Sequence, residues 1–445
     1  MSTYTAVTAT DREEMLAAIG VASTEDLFDQ IPAALRLRRP LDLPAGMGEQ
    51  DVYRHLRELA ARNTSTEDEV SFLGGGMYDH YVPAFIDMLL GRSEFLTPYT
   101  PYQPEISQGG LQVMFEYQTA ISELTGLPVA NASVYEGPSA VAGAAYLAKL
   151  ANGHSRYVVS AGVHPHTLET LRTYARGFGA EIVEIPLRDG VTDLDAWRAA
   201  LAPGTSAAIF QNPNFYGAVE DAAALAEADR DDGLVVIGAY DPIALGLLAN
   251  PGECGVDVCV GEGQPLGNRL DFGGPSFGFF AATERHLRRM PGRIAGETID
   301  AEGRRGFVLT LQTREQHIRR ERATSNICTA QALNALAGVA YLGWLGRRGL
   351  VELGELLVQR THYARETLSA LPGVEPLHTQ PVVREFAIRL AADSEQVVER
   401  CVDAGVDPGL PLPDQNGLLV ALTEQRDRAD IDRLVAVLGE AVAAC

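Results

Sequence analysis

Five short apolar runs, Tyr157–Ser160, Ile182–Ile185, Ala207–Phe210, Leu234–Gly238 and Val256–Val260, follow one another through the middle of the chain. Helical stretches such as Thr167–Gly177 and Leu194–Leu201 separate the first of them. A strand, a crossover helix and a parallel strand wind right-handed and cover both faces of a sheet. The alternation therefore predicts a mostly parallel sheet buried on both sides. Ligands of such sheets lie beyond the carboxyl ends of the strands, so chemistry belongs in the loops that follow these runs.

The flanking regions read differently. Residues 1–65 predict helices and an extended arm: Asp11–Ile19 is a helix with Asp11 as its cap and Glu14 three residues on, and Pro40 and Pro44 keep Arg36–Gly46 extended. Residues 66–330 carry the large α/β domain. From 331 a long helix runs to Leu371, interrupted near Arg347–Gly349. A small α/β unit closes the chain, with strand Phe386–Leu390, helix Ser394–Ala404, strand Leu418–Thr423 and helix Ile431–Ala443. A large parallel sheet, a connecting helix and a small C-terminal α/β domain (331–445) form the layout of the fold-type I pyridoxal-phosphate-dependent transferases.

Charge narrows the function classes. With 59 acidic and 36 basic residues the formal charge is −23, which disfavours nucleic acid and anionic membrane as partners. No stretch approaches the roughly 18 uninterrupted apolar residues of a membrane span, and Met1–Glu14 lacks the pattern of a secretion signal. Five cysteines without paired short spacing are read as reduced thiols of a cytoplasmic protein.

One lysine, Lys149, stands among the 36 basic residues. In the fold class above an amine forms a Schiff base with the cofactor, and lysine is the side chain suited to it. The segment after the fifth apolar run, Gly261–Phe280, is where that lysine belongs, and it reads Gln264-Pro265-Leu266-Gly267. Lys149 falls instead at the C-terminal end of a helix, where a cation complements the dipole.

Other segments and single residues carry polar or glycine-rich patterns. Thr97–Gly110 (TPYTPYQPEISQGG) has three prolines that prevent a helix, with Tyr99, Tyr102, Gln103, Glu105, Ser107 and Gln108 as donors and acceptors; a surface loop using tyrosines for packing accounts for the same residues. Phe72–Tyr81 (FLGGGMYDHY) has glycines for close backbone approach. Asn131–Ala145, with Ser139, resembles a phosphate cradle at a helix start, although many helices begin this way with nothing bound. Asp241 ends a strand where an acid would hold a pyridinium proton, or simply caps a turn. His164 and His166 lack neighbours for a metal set and read as loop histidines. Thr310–Asn326 predicts a solvated or interface helix with arginines able to grip a carboxylate or phosphate.

Taken together, FLGGGMYDHY (72–81), TPYTPYQPEISQG (97–109), NASVYEGPSA (131–140), QNPNFYG (211–217), GEGQPLG (261–267) and RRGFVLTLQTREQHIRRERATSNICT (304–329) closely resemble the glycine decarboxylase P-protein, subunit 1 of its two-subunit bacterial form. The resemblance runs from about Asp11 to the C-terminus and is more divergent near Leu410–Leu418. It implies a glycine dehydrogenase (aminomethyl-transferring) of the glycine cleavage system. Such an enzyme decarboxylates glycine on pyridoxal phosphate and passes the aminomethyl group to the lipoyl arm of H-protein. It further implies that subunit 2 binds the cofactor covalently, in a two-plus-two heterotetramer. This chain then keeps a vestigial pocket (Ser139, Asp241, Gln264) and lends Tyr99, Tyr102, Gln103, Glu105, Ser107 and Gln108 to the partner's site. A purely structural pseudoenzyme that stabilises subunit 2, and a subunit of a related amino-acid decarboxylase, stay open as alternatives.

Overall fold

The computed structural model describes residues 6–227, 233–274 and 276–445, and the chain divides into two compact units, Met1–Thr64 and Ser65–Cys445. In the first, helix α1 (Ala9–Ile19) is capped by Thr8 rather than Asp11. Asp11 is the third helical residue: its carboxylate accepts from the Thr8 amide at 2.8 Å, while Thr8 Oγ1 accepts from the Asp11 amide at 3.1 Å. That reciprocal pair satisfies two N–H groups which the first turn leaves open. Arg36–Gly46 carries no helix or strand before α2 (Glu49–Ala60).

In the second unit, helix α3 (Gln108–Thr125) leads into a seven-stranded sheet. Its strands are β1 (Val129–Ala130), β2 (Arg156–Ser160), β3 (Glu181–Ile185), β4 (Ala207–Asn212), β5 (Val235–Tyr240), β6 (Val258–Glu262) and β7 (Gly278–Ala282), in the order β1-β7-β6-β5-β4-β2-β3. β2 to β6 run parallel, and β7 is antiparallel to both β6 and β1. Successive side chains point to opposite faces, and here both faces are apolar. Val158, Ala208 and Val236 enter one core, while Val159, Ile209 and Ile237 enter the other. This is why the strands read as unbroken apolar runs rather than alternating ones. Helix α4 (Gly137–Asn152) buries Ala140, Ala144 and Ala148 against the second core; small side chains at four-residue spacing let it lie close to the sheet. Helix α5 (Pro165–Phe178) packs beside it.

A hairpin of β8 (Ile294–Ile299) and β9 (Arg305–Thr310) follows. The helix expected over Thr310–Asn326 is not formed: β9 runs to Thr310, and only Gln316–Arg319 is α-helical. Leu311 and Arg320 hold positive φ, and the buried Arg314 guanidinium donates to the carbonyls of Met290 and Gly292. Those tertiary bonds outweigh the helical charge pattern.

Helix α6 (Ala332–Ser369) joins two cores. Tyr341 packs under the large sheet, and Leu368 under the small one. Its break lies at Gly346, with φ 61° and ψ 179°. The small sheet, β10 (Val374–Pro376), β11 (Glu385–Leu390), β12 (Leu410–Leu412) and β13 (Gly417–Ala421), is antiparallel in the order β10-β11-β13-β12, and helices α7 (Ser394–Asp403) and α8 (Arg428–Ala444) share its core. The glycine-rich 72–81 segment threads between the two sheets. A Cβ on Gly74 would meet Glu385 Oε1 at 2.2 Å and Ala421 Cβ at 2.5 Å, and Gly75 holds φ at +70°. No described helix is long and apolar enough to cross a membrane.

Candidate active site

At the carboxyl ends of β4, β5 and β6 and the start of α4 lies a cavity of about 520 Å³, lined among others by His164, Gln211, Asp241, Glu262, Pro265 and Arg384. Its place follows from the topology, since parallel strands leave a crevice at that edge, and its size suits a small molecule.

The first turn of α4 has free N–H groups and the positive end of the helix dipole. Two carboxylates of the chain itself occupy them. Glu136, the residue before α4, accepts from the Ser139 amide at 3.2 Å and the Ser139 hydroxyl at 2.6 Å. Glu262, at the end of β6, accepts from the Gly137 amide at 3.0 Å, from the Gln264 amide at 3.1 Å and from the Ser276 hydroxyl. Burial raises the Glu262 pKa, and the Glu136 charge adds to the effect. The sequence pattern of a phosphate cradle is thus a helix start already satisfied by carboxylates.

Asp241 directly follows β5 and forms an ion pair with Arg384 at 2.6 Å. Arg384 stands just before β11 in the small sheet, and its guanidinium lies 3.4 Å from the centroid of the Tyr78 ring. It also meets His80, whose Nδ1 donates to Glu424 at 2.6 Å. His164 caps α5. Its Nδ1 accepts from the His166 amide at 3.0 Å, which leaves the proton on Nε2 for the Gly75 carbonyl at 2.7 Å. Burial lowers the His164 pKa, in keeping with a neutral ring. Among the described residues no group of three histidine, cysteine or acidic side chains is placed to hold a metal ion.

Of the residues read from sequence as a vestigial pocket, only Asp241 lines this cavity. Gln264 is fully buried and brackets the 72–81 segment: its amide accepts from the Tyr78 N–H at 2.9 Å and donates to the Tyr78 carbonyl at 3.0 Å. Ser139 is turned toward a neighbouring cavity of about 390 Å³. Lys149, in the last turn of α4, donates to Ser155 and lines no described cavity above. No residue of 97–108 lines the main cavity. That loop is presented outward, with Tyr99 80% exposed. Gln108 pairs with both the N–H and the carbonyl of Phe307 at 2.8 Å, and Tyr102 accepts from Arg293 at 2.6 Å. Gln103 and Glu105 are exposed, and Ser107 precedes α3. Glu136, Glu262, Arg293 and Arg384 were not singled out from the sequence. A glutamate directly before Gly137-Pro138 is the one local signal among them, since an acid at a helix start is a capping pattern.

Below this site, Glu385 accepts from the Gly75 amide at 2.7 Å and the Tyr78 hydroxyl at 2.8 Å. Burial pushes its pKa up to about 7 from 4.5, against the pull of those bonds and of Arg384. A raised carboxyl pKa contributes stability that is complete below the unfolded value and disappears as pH rises through the folded one. Between pH 4.5 and 7 the parent will lose on the order of 3 kcal/mol relative to Glu385→Gln. Urea unfolding of both proteins at pH 5 and pH 7.5 checks this; parallel curves for the two would refute it.

The fold is that of the pyridoxal-phosphate-dependent transferases. Sphingosine-1-phosphate lyase of Burkholderia pseudomallei shares it at 17% identity, with a TM-score of 0.66 over 93% of this chain and 95% of that one. The family profile of the glycine cleavage system P-protein matches residues 2–438, and the chain belongs to that family. A protein of Geotalea uraniireducens named "Probable glycine dehydrogenase (decarboxylating) subunit 1" is 50% identical over 97% of this chain and 98% of its own length. A solved structure of inhibitor-bound glycine decarboxylase (P-protein) is 43% identical, covers 99% of this chain and 100% of its own, and superposes with a TM-score of 0.88.

Proposed function

We propose that this chain is subunit 1 of a two-chain glycine decarboxylase, the half that carries no cofactor and completes the site of a subunit 2 that binds pyridoxal phosphate covalently. The reading rests above all on one observation: the main cavity carries two carboxylates where a phosphate would have to go. Two further features support it. Asp241, the acid available to a pyridine nitrogen, is engaged by Arg384, and no lysine follows β6. The residues present do not fit the cofactor.

On the partner, pyridoxal phosphate supplies the electron sink for loss of carbon dioxide, and the aminomethyl group passes to the lipoyl arm of H-protein. This chain's part is positional. Pro98, Pro101 and Pro104 restrict the 97–108 loop before any ligand arrives, so its side chains lose little entropy on binding. Tyr99 and Tyr102 bind and orient the glycine carboxylate, and their rings keep water from the reacting carbon. The exposure of Tyr99 favours this reading over a pseudoenzyme that only props up its partner.

The test is co-expression with the homologous subunit 2 and glycine–carbon dioxide exchange with H-protein present. A two-plus-two complex will exchange, whereas each chain alone will not. Tyr99→Phe and Tyr102→Phe will each slow exchange about ten- to a hundred-fold, the cost of one positioned polar contact of about 1–3 kcal/mol, without changing assembly or melting. Parental rates in both variants would leave the purely structural role; chains that stay apart in the ultracentrifuge would sink the two-chain reading altogether.

A further inference from the structure

Beneath the 97–108 loop lies a charged pair that stability does not explain. Arg293 is 2% exposed and Glu315 6%, and they approach only to 3.6 Å. Nε and Nη1 of Arg293 and Oε1 of Glu315 are buried with no hydrogen-bond partner among the described residues. The neighbouring core, with Ala295, Phe307 and Leu309, is apolar. A buried pair so sparsely hydrogen-bonded is commonly matched or bettered in stability by apolar side chains of similar volume. What the pair does make is one well-formed bond, from Arg293 Nη2 to Tyr102 Oη at 2.6 Å. The guanidinium carbon lies 5.2 Å from the Tyr102 ring centroid, and His317, 3.6 Å from Glu315, closes on the same ring edge-on at 5.3 Å.

We propose that Arg293 is the positioning residue of the loop, fixing Tyr102 as an outward hydrogen-bond donor to a carboxylate in the partner's site. This rests on the composite-site reading above. The polarity follows from donor chemistry. A guanidinium has N–H groups and no acceptor, so Tyr102 Oη accepts from Arg293 and keeps its single proton for a second oxygen. A phenol held this way is set to donate to an anionic oxygen, which matches an amino-acid carboxylate and not an ammonium group. Glu315 holds the guanidinium from behind, and His317 limits rotation of the ring.

The experiment is a double-mutant cycle in the assembled complex. Because Arg293→Met alone strands the Glu315 charge, the neutral pair Arg293→Met/Glu315→Gln is combined with Tyr102→Phe, and Arg293→Lys serves as the conservative variant. The neutral pair will lower kcat/KM for glycine about ten- to a hundred-fold in the parent and less than about two-fold in the Tyr102→Phe background. Arg293→Lys will recover part of the loss. Amide exchange of residues 97–108 in the isolated chain will quicken in the neutral pair and stay near the parental rate in Arg293→Lys. Equal losses in both backgrounds, or unchanged exchange in the loop, would overturn the proposal. If Tyr102→Phe is slowed while the Arg293 variants are not, this proposal fails and the composite site stands; if Tyr102→Phe itself turns over normally, this proposal fails, and the composite site fails with it only where Tyr99→Phe also keeps the parental rate.

Discussion

Incubated with pyridoxal phosphate and reduced with borohydride, the isolated chain will carry no stoichiometric label, and Pro265→Lys will not change that result. The first half follows from the amine inventory: the one lysine, Lys149, is held by Ser155 at the far end of α4. The second half follows from charge. Pro265 lines the cavity, so a lysine there would supply an amine in reach of a ligand. The ligand's phosphate would still have to enter beside Glu136 and Glu262, which already hold the Gly137 and Ser139 amides. Two like charges about 4 Å apart repel by about 4 kcal/mol at an effective dielectric of about 20, close to a thousand-fold in affinity. Labelling at micromolar cofactor should therefore need Glu136→Gln and Glu262→Gln as well as the new lysine. Mass spectrometry of tryptic peptides reads the outcome. Stoichiometric modification of Lys149 would refute the first half, and modification of Pro265→Lys with both glutamates intact would show that the carboxylates are no barrier.

The parallel sheet was legible because its signal is local. Tyr157–Ser160, Ile182–Ile185 and Ala207–Phe210 each fall inside an observed strand, and in the central β2 and β4 burial on both faces writes itself as consecutive apolar residues, whereas β3 at the sheet edge keeps an exposed Glu184. The sequence places the break in the long helix near Arg347–Gly349; it falls just ahead of that span, at Gly346, where glycine tolerates the φ of 61°. Thr310–Asn326 was misread because its mixed charges imitate a solvated helix face, while the deciding bonds run from Arg314 to the carbonyls of Met290 and Gly292. Long-range partners are hidden for the same reason. Glu262 meets Gly137 across 125 residues of sequence, and Arg293 meets Tyr102 across 191. Gln264 shows the limit of reading by position: it stands where a lysine was sought, yet its amide is spent on the Tyr78 backbone. A missing amine can be counted in a sequence, but the two carboxylates that meet at the start of α4 come together only once the chain is folded.

Arg384→Met will lower the unfolding free energy by about 3–5 kcal/mol, because removing one member of a buried ion pair strands the other. Arg384 is 3% exposed and its side chain answers several groups at once. It pairs with Asp241 at 2.6 Å, meets His80 and covers the Tyr78 ring. Methionine fills the volume and can keep the ring contact, but it leaves Asp241 and the adjoining Glu385 without their cation. Asp241→Asn on that background removes the stranded charge and should recover at least half of the loss, whereas Asp241→Asn alone will cost less than Arg384→Met. Thermal and urea unfolding of the four proteins give the coupling directly. A melting temperature for Arg384→Met within about a degree of the parent, or no recovery in the double variant, would refute the account. The same cycle bears on function. Where a fold of this class binds its cofactor, an acid at this strand end is left to face the ring nitrogen. Here that acid pairs with Arg384, so the charged contact links the end of β5 in the large sheet to the segment before β11 of the small one.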